Sequence, residues 1–219
     1  MSKLSFTAIR CLVENMLSAS GYITGKIIFM PCKVMSILFQ AVISGYFCSQ
    51  FSEIRHAKIR IGSRLFLRGA KYIQLNDDVT IGKNVVLTAW DHYRNQQTFH
   101  PNIYIGKGCK IGDFCNISAI NSISLGENVL IGRYVTIIDH SHGSRCLNDA
   151  YKSPWDRDLY SRGGVKIGRN VWIGDKATIL PDVSIGNNCI IGANSVVTKS
   201  FPDNCVIAGN PAKILGTNA

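Results

Sequence analysis

From residue 60 onward, apolar and polar positions follow a period of six. Aliphatic-Gly pairs stand at Ile61-Gly62, Ile81-Gly82, Ile105-Gly106, Ile111-Gly112, Leu125-Gly126, Ile131-Gly132, Ile167-Gly168, Ile173-Gly174, Ile185-Gly186 and Ile191-Gly192. Seven of the nine successive spacings are multiples of six and the other two exceed a multiple by two, so short insertions interrupt one six-residue unit. Where glycine is missing, Ile117, Ile137, Ile179 and Val197 hold the aliphatic position in phase. One inward aliphatic side chain next to a glycine suits a short strand followed by a tight corner, with glycine expected to supply the backbone freedom the corner needs. A single unit cannot bury its apolar residue, so consecutive units must stack into a solenoid with a continuous core. Helical repeats are excluded, because glycines inside helices cost about 1 kcal/mol each.

The first 55 residues follow a different period. Ile9, Leu12, Val13, Met16 and Leu17 fall on one side of a helix predicted over 4–18, with Arg10, Glu14 and Ser18 on the other. Glu14 and Asn15 break the apolar run, which argues against a secretory signal peptide. Residues 34–52 carry no charge, a length that could span a bilayer. Lys33, Ser36, Gln40 and Ser44 nevertheless draw one polar stripe along this helix, which favours a helix lying at an interface or packed on the rest of the chain. The expected organisation is a helical, partly apolar segment over 1–55 and a β solenoid over 56–219.

Two breaks in the period stand out, since loops that interrupt a solenoid are where function concentrates. The longer, 139–164, is polar, aromatic and charged, and carries His140 and His142 at its base. The shorter, 89–101, carries His92 and His100. Histidine takes and releases a proton near neutral pH, so an imidazole at the edge of a rigid solenoid suits a general base. A metal centre would need three convergent ligands, and the other histidines lie in separate coils or loops, so no metal is expected.

Charge changes the picture only for the N-terminal third. The chain has a net charge of +10, with 24 Lys and Arg against 14 Asp and Glu; ten of the basic residues but only Glu14 and Glu53 of the acids precede residue 72. An anionic partner for that end follows, a membrane surface in particular. Nucleic acid is disfavoured, because the basic region lacks aromatic interleaving and any helix-turn-helix or RNA-binding signature. The eight cysteines form no C-x-x-C pair and read as small core residues of a reduced, cytoplasmic protein.

Residues 56–216 resemble the hexapeptide-repeat acyltransferases, most specifically in the run IGRNVWIGDKATILPDVSIGNNCIIGANSVVTKSFPDNCVIAGNPAKIL at 167–215. The resemblance implies a left-handed parallel β-helix in which three hexapeptides make one coil, so that Ile167 lies under Ile185 and Ile173 under Ile191. It implies an acetyl-CoA-dependent O-acetyltransferase acting on a sugar or surface-polysaccharide precursor, assembled as a homotrimer with its active sites between subunits. TIIDHSHG matches the place where sugar and drug O-acetyltransferases carry their catalytic histidine. His140 takes that role, with His142 as the alternative and Asp139 and Asn116 as candidate substrate contacts. The resemblance assigns Trp172, Asp175, Ala193, Thr198, Lys199 and Lys213 to the coenzyme A site: Trp172 against the pantetheine arm, the Asp175 N–H toward the thioester oxygen, and the lysines toward phosphates. Gly216 stands where relatives often have a second cation. N-acetylation of an amino-sugar nucleotide or an antibiotic remains an alternative, as does a non-catalytic β-helix scaffold. A basic N-terminal segment could dock such an enzyme on the inner face of a membrane.

Overall fold

The computed structural model describes residues 35, 37–39, 41–51, 53–54, 58–94, 97–144 and 147–217. The helix expected over 4–18 lies outside them. Residues 1–42 and 43–219 form two compact units. In the first, the described residues are helical, and Met35, Ile37, Leu38, Phe39 and Val42 are exposed.

The second unit is a three-sided parallel β-helix. One sheet stacks Glu53–Ile54, Ile73–Leu75, Asn102–Ile105, Ser122–Leu125, Val165–Ile167 and Ser184–Ile185. A second stacks Arg60–Ile61, Thr80–Ile81, Lys110–Ile111, Leu130–Ile131, Trp172–Ile173, Ile190–Ile191 and Cys205–Gly209, and adds Ala212–Thr217 as an antiparallel edge. The third stacks Phe66–Arg68, Val86–Ala89, Asn116–Ala119, Thr136–Ile138, Thr178–Ile179 and Val196–Val197. The expected register holds: Ile167 pairs with Ile185 and Ile173 with Ile191. Ile117, Ile137, Ile179 and Val197 are fully buried, as their phase requires. Isoleucine and valine dominate because branched side chains fit a pleated wall, and burying each contributes roughly 1.5–3 kcal/mol.

The glycines of the ten pairs do something other than expected. None has a positive φ; the left-handed residue of each corner stands two places later, at Arg64, Asn84, Gly108, Phe114, Asn128, Tyr134, Asn170, Lys176, Asn188 and Asn194. The glycines are there because successive coils touch at them. A Cβ on Gly112 would lie 2.4 Å from the carbonyl oxygen of Gly132 in the next coil. Neither backbone can yield without breaking the ladder, so Gly112→Ala is expected to lower stability by about 2 kcal/mol or more, read as a fall in melting temperature. Unchanged melting would mean the coils do not pack this closely. The side chains after the glycines add a second corner bond: Asp113 accepts the Lys83 N–H at 2.7 Å, Asp175 that of Arg133 at 2.8 Å, and Asn187 that of Arg169 at 2.9 Å.

The second unit begins at residue 43, and residues ahead of the first coil cover its open end. Ser44, on the expected polar stripe, is buried, with its hydroxyl accepting the Ile61 N–H at 3.0 Å. Phe51 is buried against the same core. Of the described cysteines, Cys109, Cys115, Cys189 and Cys205 are buried and all are free thiols. Burial pushes the Cys109 and Cys115 thiols up to about 11, and each S–H donates to a glycine carbonyl at 3.0 Å.

Candidate active site

The two breaks in the period, far apart in sequence, meet in space. Ser141–His142 pairs antiparallel with Leu159–Tyr160, and His92–Tyr93 with Gln97–Thr98. Gln97 locks the two excursions together: its amide donates to the Leu159 carbonyl at 3.1 Å and its oxygen accepts the Leu159 N–H at 2.8 Å. Arg94 adds an ion pair to Asp156 at 3.3 Å and a hydrogen bond to the Trp155 carbonyl. Asp91 anchors the base of the shorter excursion; hydrogen bonds from His92 and Lys71 hold its carboxyl well below the usual carboxylate range.

His140 leaves the third sheet directly after the strand Thr136–Ile138. Its Nδ1 lies 3.0 Å from Asp139 Oδ1, with the imidazole largely buried and the carboxylate wholly so. The carboxylate is fixed in turn, since Oδ1 accepts the Ile120 N–H at 2.9 Å and Oδ2 the Asn121 N–H at 2.8 Å. A carboxylate can only accept, so the shared proton sits on Nδ1 and Nε2 is the basic nitrogen of the neutral ring. This overturns the expectation that Asp139 touches substrate: enclosed on all sides, it orients its neighbour. His140 borders an open cavity of about 280 Å³ whose walls include Ile138, Tyr160, Arg162, Leu180 and Pro181.

The other candidates disperse. His142 is exposed, its ring edge-on to Tyr93 at 5.8 Å between centroids, outside the cavity wall. Asn116 lies beside Thr136, and Ser118 is the residue of that strand level with Ile138. Asn116 Oδ1 is buried without a hydrogen-bond partner. Ser118 donates to or accepts from Thr88, their hydroxyls 2.9 Å apart. Trp172 is half exposed on the outer face of the second sheet, between Leu130 and Ile190, which makes an apolar ladder above the polar Thr80 and Lys110. Asp175 and Ala193 follow at the corner between second and third sheets. The Asp175 side chain is spent on the Arg133 N–H and a 3.5 Å ion pair with Arg133. Ala193 stacks on Gly174, whose added Cβ would lie 2.6 Å from Ala193 N. Thr198 and Lys199 lie at the opposite edge of the third sheet, both exposed, with Lys199 over the Phe201 ring. Lys213 is exposed on the antiparallel edge strand. Neither lysine forms an ion pair among the described residues.

Residues 164–199 match the family model described as bacterial transferase hexapeptide (six repeats). The putative lipopolysaccharide biosynthesis O-acetyl transferase WbbJ of Escherichia coli (strain K12) is 35% identical over 162 residues, 70% of this chain and 82% of that one. The chain belongs to the hexapeptide-repeat acyltransferase family. A second acyltransferase, the galactoside O-acetyltransferase of Escherichia coli (strain K12), is 34% identical over 62% of each chain. The fold recurs in AntD, an N-acyltransferase from Bacillus cereus solved in complex with dTDP and 3-hydroxybutyryl-CoA; it is 16% identical with a TM-score of 0.64, covering 78% of this chain and 85% of that one. The β-helix is therefore the left-handed form of this acyltransferase family.

An acyltransferase must bring an acceptor and an acyl donor to one point. In a single copy, His140 and its cavity stand at one edge of the third sheet, whereas Trp172, Asp175 and Ala193 stand at the other. The run from Asp175 to Leu180 that separates them spans on the order of 15 Å of extended chain. Tyr160, Arg162, Leu180 and Pro181 were not singled out from sequence. Only the break in period after Ile138 and the Leu-Pro step at 180–181 mark the place where a wall could form.

Proposed function

We propose that the protein transfers an acetyl group from acetyl-CoA to a hydroxyl of a sugar in a surface-polysaccharide precursor, with His140 as general base. The observation that carries this reading is the Asp139–His140 pair, anchored on two backbone N–H groups and bordering an open cavity. The names of the relatives, a lipopolysaccharide O-acetyl transferase and a galactoside O-acetyltransferase, support a sugar hydroxyl as acceptor. Coenzyme A carries the acyl group as a thioester. Nε2 of His140 takes the acceptor proton as that oxygen attacks the thioester carbonyl, and returns it to the departing thiolate sulfur. The Asp139 carboxylate stabilises the imidazolium formed between those two steps. The described cysteines that are buried and hydrogen-bonded as thiols offer no nucleophile, which favours direct transfer.

The donor fits the opposite edge of the third sheet. The ladder of exposed Leu130 and Trp172 with half-buried Ile190 offers an apolar track for a pantetheine arm, and Ala193 leaves the corner open. Lys213 carries charge suited to phosphates, as does Lys199, which stands on the His140 edge of its own copy. Since the two edges stand apart within one chain, the reading places each complete site between two copies of a homotrimer. Thiol release from acetyl-CoA against a panel of mono- and oligosaccharides, with wild type and the His140 and His142 variants, tests it.

His142 supports a second reading as the base, because its ring is exposed to an incoming acceptor and touches Tyr93 only by an edge. The same variant pair separates the two histidines.

The apolar residues exposed in the first unit, together with the basic N-terminal third, support peripheral attachment to an anionic membrane. No helix among the described residues is long and apolar enough to cross a bilayer. Full-length protein is expected to float with liposomes containing anionic lipid, and a chain lacking residues 1–42 to remain in the dense fraction. Equal behaviour of the two would remove membrane attachment. The cut spares residues 43–51, which close the first coil.

A further inference from the structure

The cavity beside His140 is lined by a cation with no counter-ion among the described residues. Arg162 is exposed at the mouth of the cavity, and one of its terminal nitrogens donates to the Pro181 carbonyl at 3.3 Å. A guanidinium carries five N–H donors, so most remain available. No carboxylate among the described residues forms an ion pair with Arg162. Asp182, whose Oδ1 lies against Gly163, does not reach it. Asp139 is enclosed and committed to His140 and two backbone N–H groups. The surrounding wall is apolar at Ile138, Leu180 and Pro181, so it supplies no carboxylate to compete with an incoming anion. Elsewhere in the same excursions Arg94 is matched with Asp156 and Lys152 with Asp149, while Arg157 donates to the Lys152 carbonyl. Tyr160, on the strand paired with Ser141, lines the same space.

We propose that this cavity selects an anionic saccharide, with Arg162 holding a carboxylate or phosphate of the acceptor while His140 faces its hydroxyl. The inference rests on the reading of the cavity as the acceptor site. A planar guanidinium matches either anion through two parallel N–H bonds, which fixes the sugar in orientation as well as in place. Tyr160 supplies an amphipathic surface for the ring. Selection then comes from one residue, and a neutral sugar would leave the guanidinium without an anion to pair with.

Binding of glucose, glucuronate and glucose 6-phosphate to the full-length protein, followed by ligand-detected NMR, tests this apart from turnover. Wild type is expected to bind at least one of the anionic sugars about tenfold to a hundredfold more tightly than glucose. Preference for glucuronate identifies the carboxylate, and preference for glucose 6-phosphate alone identifies the phosphate. Arg162→Gln should abolish the preference with melting temperature unchanged, and Arg162→Lys should restore part of it. In thiol release, Arg162→Gln should raise KM for an anionic acceptor and leave KM for acetyl-CoA unaltered. Equal binding of neutral and anionic sugars by wild type, an unchanged preference in Arg162→Gln, or a rise confined to KM for acetyl-CoA would each overturn the proposal. If anion-dependent binding is present while no acceptor elicits thiol release, the acetyl-transfer reading fails and the anion site stands.

Discussion

Replacing His140 by asparagine is expected to lower acceptor-dependent thiol release from acetyl-CoA by about 10²–10⁴-fold, the usual worth of a positioned general base. The reason is local. Asparagine retains a polar head that can still reach the Asp139 carboxylate, yet offers no nitrogen able to take a proton from a hydroxyl near neutral pH. Because the carboxylate keeps its two backbone partners at 2.8 and 2.9 Å in the variant, the strand end and the melting temperature should hold. The loss should fall on kcat more than on KM, since proton removal occurs only on the way to the transition state. His142→Asn, tested beside it, should retain most of the rate. If His140→Asn is fully active and His142→Asn is not, the second histidine is the base.

Asp139→Asn is expected to damage both stability and rate. In the native chain three donors converge on this one carboxylate, the N–H groups of Ile120 and Asn121 and Nδ1–H of His140. An asparagine of the same shape has one oxygen and an amide nitrogen that itself donates, so at least one buried donor is left facing another. Each such mismatch costs about 1–3 kcal/mol, which in a domain of this size lowers the melting temperature by roughly 2–10 °C. If the amide nitrogen faces the imidazole, the ring must present a bare Nδ1, and the proton moves to Nε2, where the base should be free. A loss in kcat beyond what the stability change explains marks the orienting role. Full activity in a destabilised protein would make the carboxylate a structural bracket only.

The six-residue period told which side chains face inward, and the structure buries Ile117, Ile137, Ile179 and Val197 in that phase. Eighteen-residue stacking was legible for the same reason, since between 167 and 197 nothing is inserted. The role of the glycines was misread because a glycine beside a corner suggests an unusual φ, whereas here it marks backbone contact between coils. The left-handed positions had their own signal, an asparagine two residues after the glycine in IGKN, LGEN, IGRN, IGNN and IGAN. His140 was visible as a histidine at a break in the period. Its partner's burial was not, because it depends on the backbone N–H groups of Ile120 and Asn121, one coil away. The clasp between Gln97 and Leu159, and with it the wall that carries Arg162, joins two insertions whose lengths follow no period, so no local pattern announces it.

The ends of the coil carry a further consequence. A stack of parallel strands exposes a complete row of unsatisfied N–H and C=O groups at each terminus, and identical ends of neighbouring molecules would be well matched to pair with them. Ser44 meets the N–H of Ile61 at one end, and Ala212–Thr217 runs antiparallel along the second sheet at the other, where a further parallel coil cannot add in register. These two short pieces occupy the edges of the second sheet, so a neighbouring molecule finds no free parallel strand there to extend.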